Sequence, residues 1–302
     1  MRPRAFVAVP LALLGSLLVV GVPAVAQDTN PSVTYSGVGF SFDPSLGTSV
    51  NITDVPAAPG NPFSYPQPAH LTFTLYGPKP EFGHVPVVAD GTVVVEFYRV
   101  ADMASAPDYA SQLANLQDLL SKRPDLKPYT VAHRTHVDQP LPHVPLPGDS
   151  AQVIRALAAY VDTPQVSGIS YVDSYGQDVA GFSSSSFEHT FQGLSADGTW
   201  LVSVTTPLAA SMFPKDPPSV SFPTSSDEVT YLNRTSRTLN AAAEDDFSPL
   251  LTLIDQLISS ITFDAAMPSP QPSESALPSP IESVAPSATE TFAATPSGSV
   301  SP

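Results

Sequence analysis

The sequence predicts an α+β domain in which helices pack on an antiparallel sheet. Four successive strand-like segments between residues 153 and 206 are joined by short polar or glycine-containing connections, as in a meander. Two segments of helical periodicity, near residues 105–120 and 248–261, lie outside that run. A composition of 42% hydrophobic and 13% charged residues fits a chain that buries a core.

The elements follow in order. Residues 33–42 alternate loosely and end in the turn signal Asp43-Pro44-Ser45, reading as one strand. Residues 48–55 form a short second strand closed by Pro56, and residues 57–68 a Pro/Gly-rich loop. Leu71, Phe73 and Leu75 occupy every second position, the pattern of a half-buried strand. Residues 92–100 (TVVVEFYRV) form another. A helix starts near Ser105, where Ser105 and Asp108 make a capping pattern; Tyr109, Leu113, Leu116 and Leu120 share a face, and Pro124 ends it. Residues 127–149 are a proline-rich excursion over the surface.

The four strands of the second half are residues 153–162, 168–177, 187–194 and 199–206. Phe187, His189 and Phe191 share one face, as do Trp200, Val202 and Val204. Residues 226–243 are polar with helical character. Ser248 is read as an N-cap with Pro249 at the first helical position, ahead of an apolar stripe of Leu250, Ile254, Leu257, Ile258 and Ile261. Residues 261–263 close the domain.

Both ends differ from this middle. Arg2 and Arg4 precede an apolar run over residues 5–20, broken by Gly21 and Pro23 ahead of Ala24-Val25-Ala26. Residues 1–26 are therefore expected to be a signal peptide, placing the protein in a secreted or cell-envelope, extracytoplasmic location. Residues 27–265 would be a single α+β domain. Residues 266–302 hold 8 prolines, 9 serines and neither Lys nor Arg, and are expected to form a disordered tail. Loss of Arg2 and Arg4 would move the formal charge from −16 to −18. Such an acidic chain offers no electrostatic footprint for nucleic acid, and after signal cleavage no stable membrane insertion is expected. The absence of cysteine excludes disulfides, thiol catalysis and thiolate zinc sites.

Candidate chemistry is sparse. His133, His136 and His143 sit in the proline-rich excursion with Asp138, a donor set suited to Zn²⁺ if the loop folds back, although they lie outside any helix that would align them. They are read as exposed loop histidines. His189 between two phenylalanines is read as a packed core residue. Ser183 to Ser186 lacks the Gly-x-Ser-x-Gly elbow. Asp173, Asp178, Glu188 and Asp197 could serve a glycosidase only if two face one cleft. Tyr171, Asp173 and Tyr175 project with Ile169 to one side of a strand and are read as an ordinary wet sheet face, the alternative being a platform for sugars or a cation. Asn51-Ile52-Thr53 and Asn233-Arg234-Thr235 fit the N-glycosylation pattern. No residue is assigned as catalytic, cofactor-binding or metal-ligating, and no cofactor is assigned.

The segments GISYVDSYGQD (Gly168 to Asp178), TFQGLSADG (Thr190 to Gly198) and residues 202–207 resemble a family of uncharacterised exported bacterial proteins. That family carries G-x-x-Y…Y-x-Q-D followed by T-F-Q-G-L-T-x-D-G; Ser195 stands here where it usually has Thr. The resemblance spans residues 153–214, with a weaker echo at residues 35–42, and implies no activity. The order of elements is also similar to PsbP-like proteins, which implies an αβα sandwich and carries no function. The expectation is a non-enzymatic binding or accessory domain whose partner is a protein, a glycan or a small ligand. The rival is an extracytoplasmic hydrolase whose carboxylates and histidines converge only in three dimensions, inside a concave pocket holding at least two of Asp173, Asp178, Glu188, His189 and the loop histidines.

Overall fold

The computed structural model describes residues 30–61, 64–77, 93–132, 140–148 and 150–264. The expected signal peptide and tail, together with His133, His136 and Asp138, lie outside the described residues.

Residues 33–42 do not form one strand. Ser36 and Gly37 both take positive φ (50° and 81°), turning the chain between β1 (Ser32–Tyr35) and β2 (Val38–Ser41). Two consecutive positive φ values suit the right-handed twist of a tight hairpin. Strand β11 (Thr262–Phe263) pairs with β2 and completes a three-stranded sheet.

The large sheet contains β3 (Ser49–Val55), β4 (His70–Tyr76), β5 (Val93–Arg99), β6 (Ala151–Asp162), β7 (Val166–Gly176), β8 (Phe187–Ser195), β9 (Trp200–Ala210) and β10 (Phe247–Ser248). Its order is β3-β4-β5-β9-β8-β7-β6, with β10 on the end of β9, and the pairs are antiparallel. After β5 the chain passes to the far edge at β6, then meanders back until β9 lies beside β5. The crossing is made by α1 (Val100–Met103), α2 (Pro107–Lys122) and the proline-rich segment. It lies on the face that carries Tyr98, Ile169, Tyr171 and Leu201, which pack with Tyr109, Leu113, Leu116, Leu141 and Val144. On the opposite face, Phe73, Phe97, Val172, Phe191, Val202 and Val204 meet the small sheet, α3 (Ser225–Asn240) and α4 (Leu251–Ser259). Helices thus cover both faces, and β4 is buried on both sides rather than half-buried.

The helix starts have local causes, and those of α2 and α4 differ from expectation. Ser105 donates its hydroxyl to the Asp102 carbonyl instead of capping α2, which begins at Pro107 behind Ala106. Thr224 and Asp227 form a reciprocal capping box on α3 (Asp227 N to Thr224 Oγ1, 3.2 Å; Thr224 N to Asp227 Oδ2, 3.0 Å). Ser248 is occupied in β10 opposite Ala209, so α4 starts two residues later than read. There the Glu244 carboxylate accepts from the Thr252 N–H at 2.7 Å. None of the described helices is long and apolar enough to cross a membrane.

Gly168 and Gly193 face each other across β7 and β8, beside the Phe191 ring. A Cβ on Gly168 would sit 2.5 Å from the Gln192 carbonyl oxygen and from Phe191 Cε2, whereas one on Gly77 meets nothing within 4 Å. Gly168→Ala should therefore destabilise the domain by about 1–3 kcal/mol, the usual cost of overpacking, with Gly77→Ala near neutral. Urea unfolding of both variants checks this; equal midpoints would contradict the packing described.

Candidate functional site

Residues 140–148 are not a surface excursion. Leu141, Pro142, His143 and Val144 are buried against the sheet. Pro140, Pro142, Pro145 and Pro147 have no N–H, so this strap cannot join a strand ladder and its remaining donors need other partners. Glutamine side chains supply three. Leu141 N–H donates to Gln152 Oε1 (3.0 Å), His143 N–H to Gln112 Oε1 (3.1 Å) and Val144 N–H to Gln192 Oε1 (3.2 Å). Carbonyls of the strap are met as well: Tyr171 donates its hydroxyl to Pro142 O at 2.6 Å, and Gln192 Nε2 and Ser203 Oγ both donate to Val144 O. Tyr109 hydrogen-bonds to the backbone of Leu146. The row Ile169, Tyr171, Asp173 and Tyr175 therefore faces a covering layer. The wet-face reading is corrected: Tyr171 and Asp173 are fully buried and Tyr175 is half-buried.

Beneath the strap, register aligns three charged residues across the sheet. Arg155 on β6 is opposite Asp173 on β7, which is opposite Glu188 on β8. The pairing of β6 shifts by one residue at Val153, which places Gln152 opposite Tyr175 and Arg155 opposite Asp173 on one face. Gln152 Nε2 donates to Asp173 Oδ2 (3.1 Å) and to the Tyr175 hydroxyl (2.9 Å), and Thr190 Oγ1 donates to Asp173 Oδ1 (3.2 Å). His143 Nδ1 stops 3.7 Å from Asp173 Oδ2, its ring against Tyr175 at 4.7 Å between centroids. That nitrogen is buried and has no hydrogen-bond partner among the described residues. Ligand atoms of His143, Asp173 and Glu188 all lie within 4.8 Å of one another.

Two like charges opposite each other on a buried face repel. Burial, and then the charge of Glu188, hold the Asp173 carboxyl well above the usual carboxylate range; hydrogen bonds from Gln152, Thr190 and Tyr175 offset part of this. Burial pushes Glu188 up to about 7, and pushes His143 down to about 4, leaving a neutral imidazole. Arg155 is lowered to about 10 by burial, against the opposing pull of Tyr175 and Asp173.

A cleft of about 380 Å³ opens over this group. Tyr65, Gln112, His143, Leu146, Gln152 and Tyr175 are among its walls. Of the residues named for the hydrolase reading, the structure brings together His143, Asp173 and Glu188, with His143 on the cleft wall and Asp173 directly behind it. Asp178 is exposed and apart; Asp197 closes the β8–β9 turn by accepting from Ser195 and Thr199. His189 lies in the opposite core, where burial lowers it to about 4. Asn233 is committed to the backbone of Ala132 through both ends of its amide, whereas Asn51 is exposed.

A second buried polar group, absent from the sequence reading, occupies β4 and β5 on the same face. Tyr98 stacks on His70 (4.5 Å) and donates to Glu96 Oε2 (3.0 Å), while His70 Nε2 is 3.7 Å from Glu96 Oε1 and Nδ1 is 3.0 Å from Pro68 O. Its members are mutually partnered. Burial pushes Glu96 up to about 7.

These shifts set a pH dependence. Glu96 and Glu188 keep protons in the folded protein that the unfolded chain releases near 4.5. Their stabilisation is complete below that value and is lost as pH rises through about 7. His143 and His189 act in the opposite sense, neutral when folded and protonated when unfolded, but only below their ordinary 6.5. His70, lowered by burial as well, acts with them, so the carboxyl contribution is isolated by difference. Relative to Glu96→Gln, the unsubstituted protein should lose up to about 1.4 kcal/mol of stability per pH unit between pH 4.5 and about 7, and little above it. A difference that does not change with pH would contradict the assignment.

Comparison with protein-family models, curated proteins and solved structures finds no match to this chain, so neither the exported-protein resemblance nor the PsbP-like one gains support from them.

Proposed function

We propose that this chain is an exported, extracytoplasmic binding domain that holds a small oxygen-rich ligand, such as a sugar, in the cleft beneath the strap. The observation that carries the reading is the cleft itself. About 380 Å³ of space is walled by two tyrosines and two glutamines, beside His143, whose buried Nδ1 has no hydrogen-bond partner among the described residues. Aromatic faces and carboxamides are the groups that receive sugar rings and hydroxyls, and a few polar groups in a small concave site fix orientation. Export is argued from Arg2, Arg4, the apolar run and Ala24-Val25-Ala26, and the acidic charge argues against a nucleic-acid partner.

One observation favours the hydrolase alternative: the convergence of His143, Asp173 and Glu188. The binding reading is preferred because Asp173 is fully buried and each of its oxygens already accepts a hydrogen bond.

The test is a thermal-shift and calorimetric panel of mono- and disaccharides and of hydroxy acids. A ligand at about 100 times its Kd should raise the unfolding midpoint by roughly 5–10 °C. Gln112→Ala and Tyr65→Ala should weaken that binding. Stabilisation by no panel member, or full binding by both variants, would overturn the reading; cleavage of a bound disaccharide would favour the hydrolase.

A further inference from the structure

Behind the His143 wall of the cleft lies a group with the composition of a metal site. Asp173 and Glu188 offer carboxylate oxygens from adjacent strands, in direct register. His143 offers Nδ1 from the strap, 3.7 Å from Asp173 Oδ2. This nitrogen is the independent sign of a ligand. The residue is 8% exposed, the atom is buried, and no donor among the described residues occupies its lone pair. A buried polar atom without a partner costs about 1–3 kcal/mol, which a bound ion would recover. Asp173 and Glu188 stand side by side on the sheet, with Arg155 opposite Asp173 on its other side.

We infer that His143, Asp173 and Glu188 bind a first-row divalent cation, best matched by Zn²⁺, behind the His143 wall of the cleft. The donors choose the ion. One imidazole and two carboxylates suit Zn²⁺, Co²⁺ or Mn²⁺, the nitrogen disfavours Mg²⁺ and Ca²⁺, and the absence of thiolate disfavours Cu⁺. In a tetrahedral site with metal–ligand bonds of 2.0–2.1 Å, donor atoms stand about 3.3 Å apart. The present spread, within 4.8 Å, needs a contraction of about 1.5 Å on binding. Three protein ligands leave a fourth position for a water or another oxygen donor. Gln152 and Thr190, by holding Asp173, would orient it for the ion. The proton that the carboxyl pair retains would leave as the cation enters. The inference rests on the reading of this cleft as a binding site and specifies what lies behind its His143 wall.

The experiment is titration of the metal-stripped full chain with Zn²⁺ by calorimetry, and with Co²⁺ by visible absorption, without any organic ligand. The expected result is one ion per chain, with a Co²⁺ spectrum of low coordination number. Glu188→Gln and His143→Ala should each weaken binding at least about tenfold. Should His143→Ala fail to fold, the half-exposed Glu188→Gln decides alone. No saturable 1:1 binding, or unchanged affinity in Glu188→Gln, would overturn the inference; so would binding lost only in a His133→Ala/His136→Ala variant. The two proposals fail separately. Zn²⁺ binding with no sugar bound leaves the cation site standing, and sugar binding undiminished in metal-stripped Glu188→Gln leaves the cleft standing without it.

Discussion

Three glutamine side chains hold the structure's least regular segment to its most regular one. Four prolines deny residues 140–148 a place in any strand ladder, yet four consecutive residues of that segment are buried. Buried N–H groups must find acceptors, and the carboxamides of Gln112, Gln152 and Gln192 supply them from α2, β6 and β8. Each bond is worth only about 1 kcal/mol net, but leaving its N–H unpaired costs more. The polar face of the sheet is explained by this need. Gln192, Ser203 and Tyr171 stand where an ordinary core would carry aliphatic side chains, because what covers them is backbone.

The same arrangement creates the site. The strap carries His143 over Asp173, and Gln152 ties both together by accepting from Leu141 while donating to Asp173 and Tyr175. One shifted position at Val153 keeps Gln152 and Arg155 on the working face despite their odd spacing. The β7–β8 register then sets Glu188 beside Asp173. Charge, hydrogen bonding and access thus meet at one end of β7, while the His70–Glu96–Tyr98 group on the same face is mutually partnered.

The meander was legible in the sequence because its alternation and its turns agree, from Phe187, His189 and Phe191 on one face to Ala196-Asp197-Gly198 at the turn. The faces of Trp200, Val202 and Val204 follow from the same period. What alternation cannot show is what covers a face. Tyr171, Asp173 and Tyr175 have the pattern of a solvated sheet, and only the long connection between β5 and β6 buries them. The Ser36-Gly37 turn carried a local signal, a serine-glycine pair within an apolar run, that periodicity alone overrode. Ser105 and Ser248 look like N-caps but are outcompeted, the first by Pro107 and the second by pairing with β9. For the site, the available signal lay in glutamines at inward-facing strand positions and in the apolar residues Leu141, Val144 and Leu146 among the prolines. Together they mark a loop that is bound down rather than free.

The strap is a fixed, hydrogen-bonded part of the domain. Amide hydrogen exchange at Leu141, His143 and Val144 is the test, since these three donors exchange only when the glutamine contacts open. Their protection should be comparable to that of neighbouring amides of β7 and β8, and reduced at Val144 when Gln192 is replaced by leucine. Exchange of all three at the rate of an open loop would contradict it.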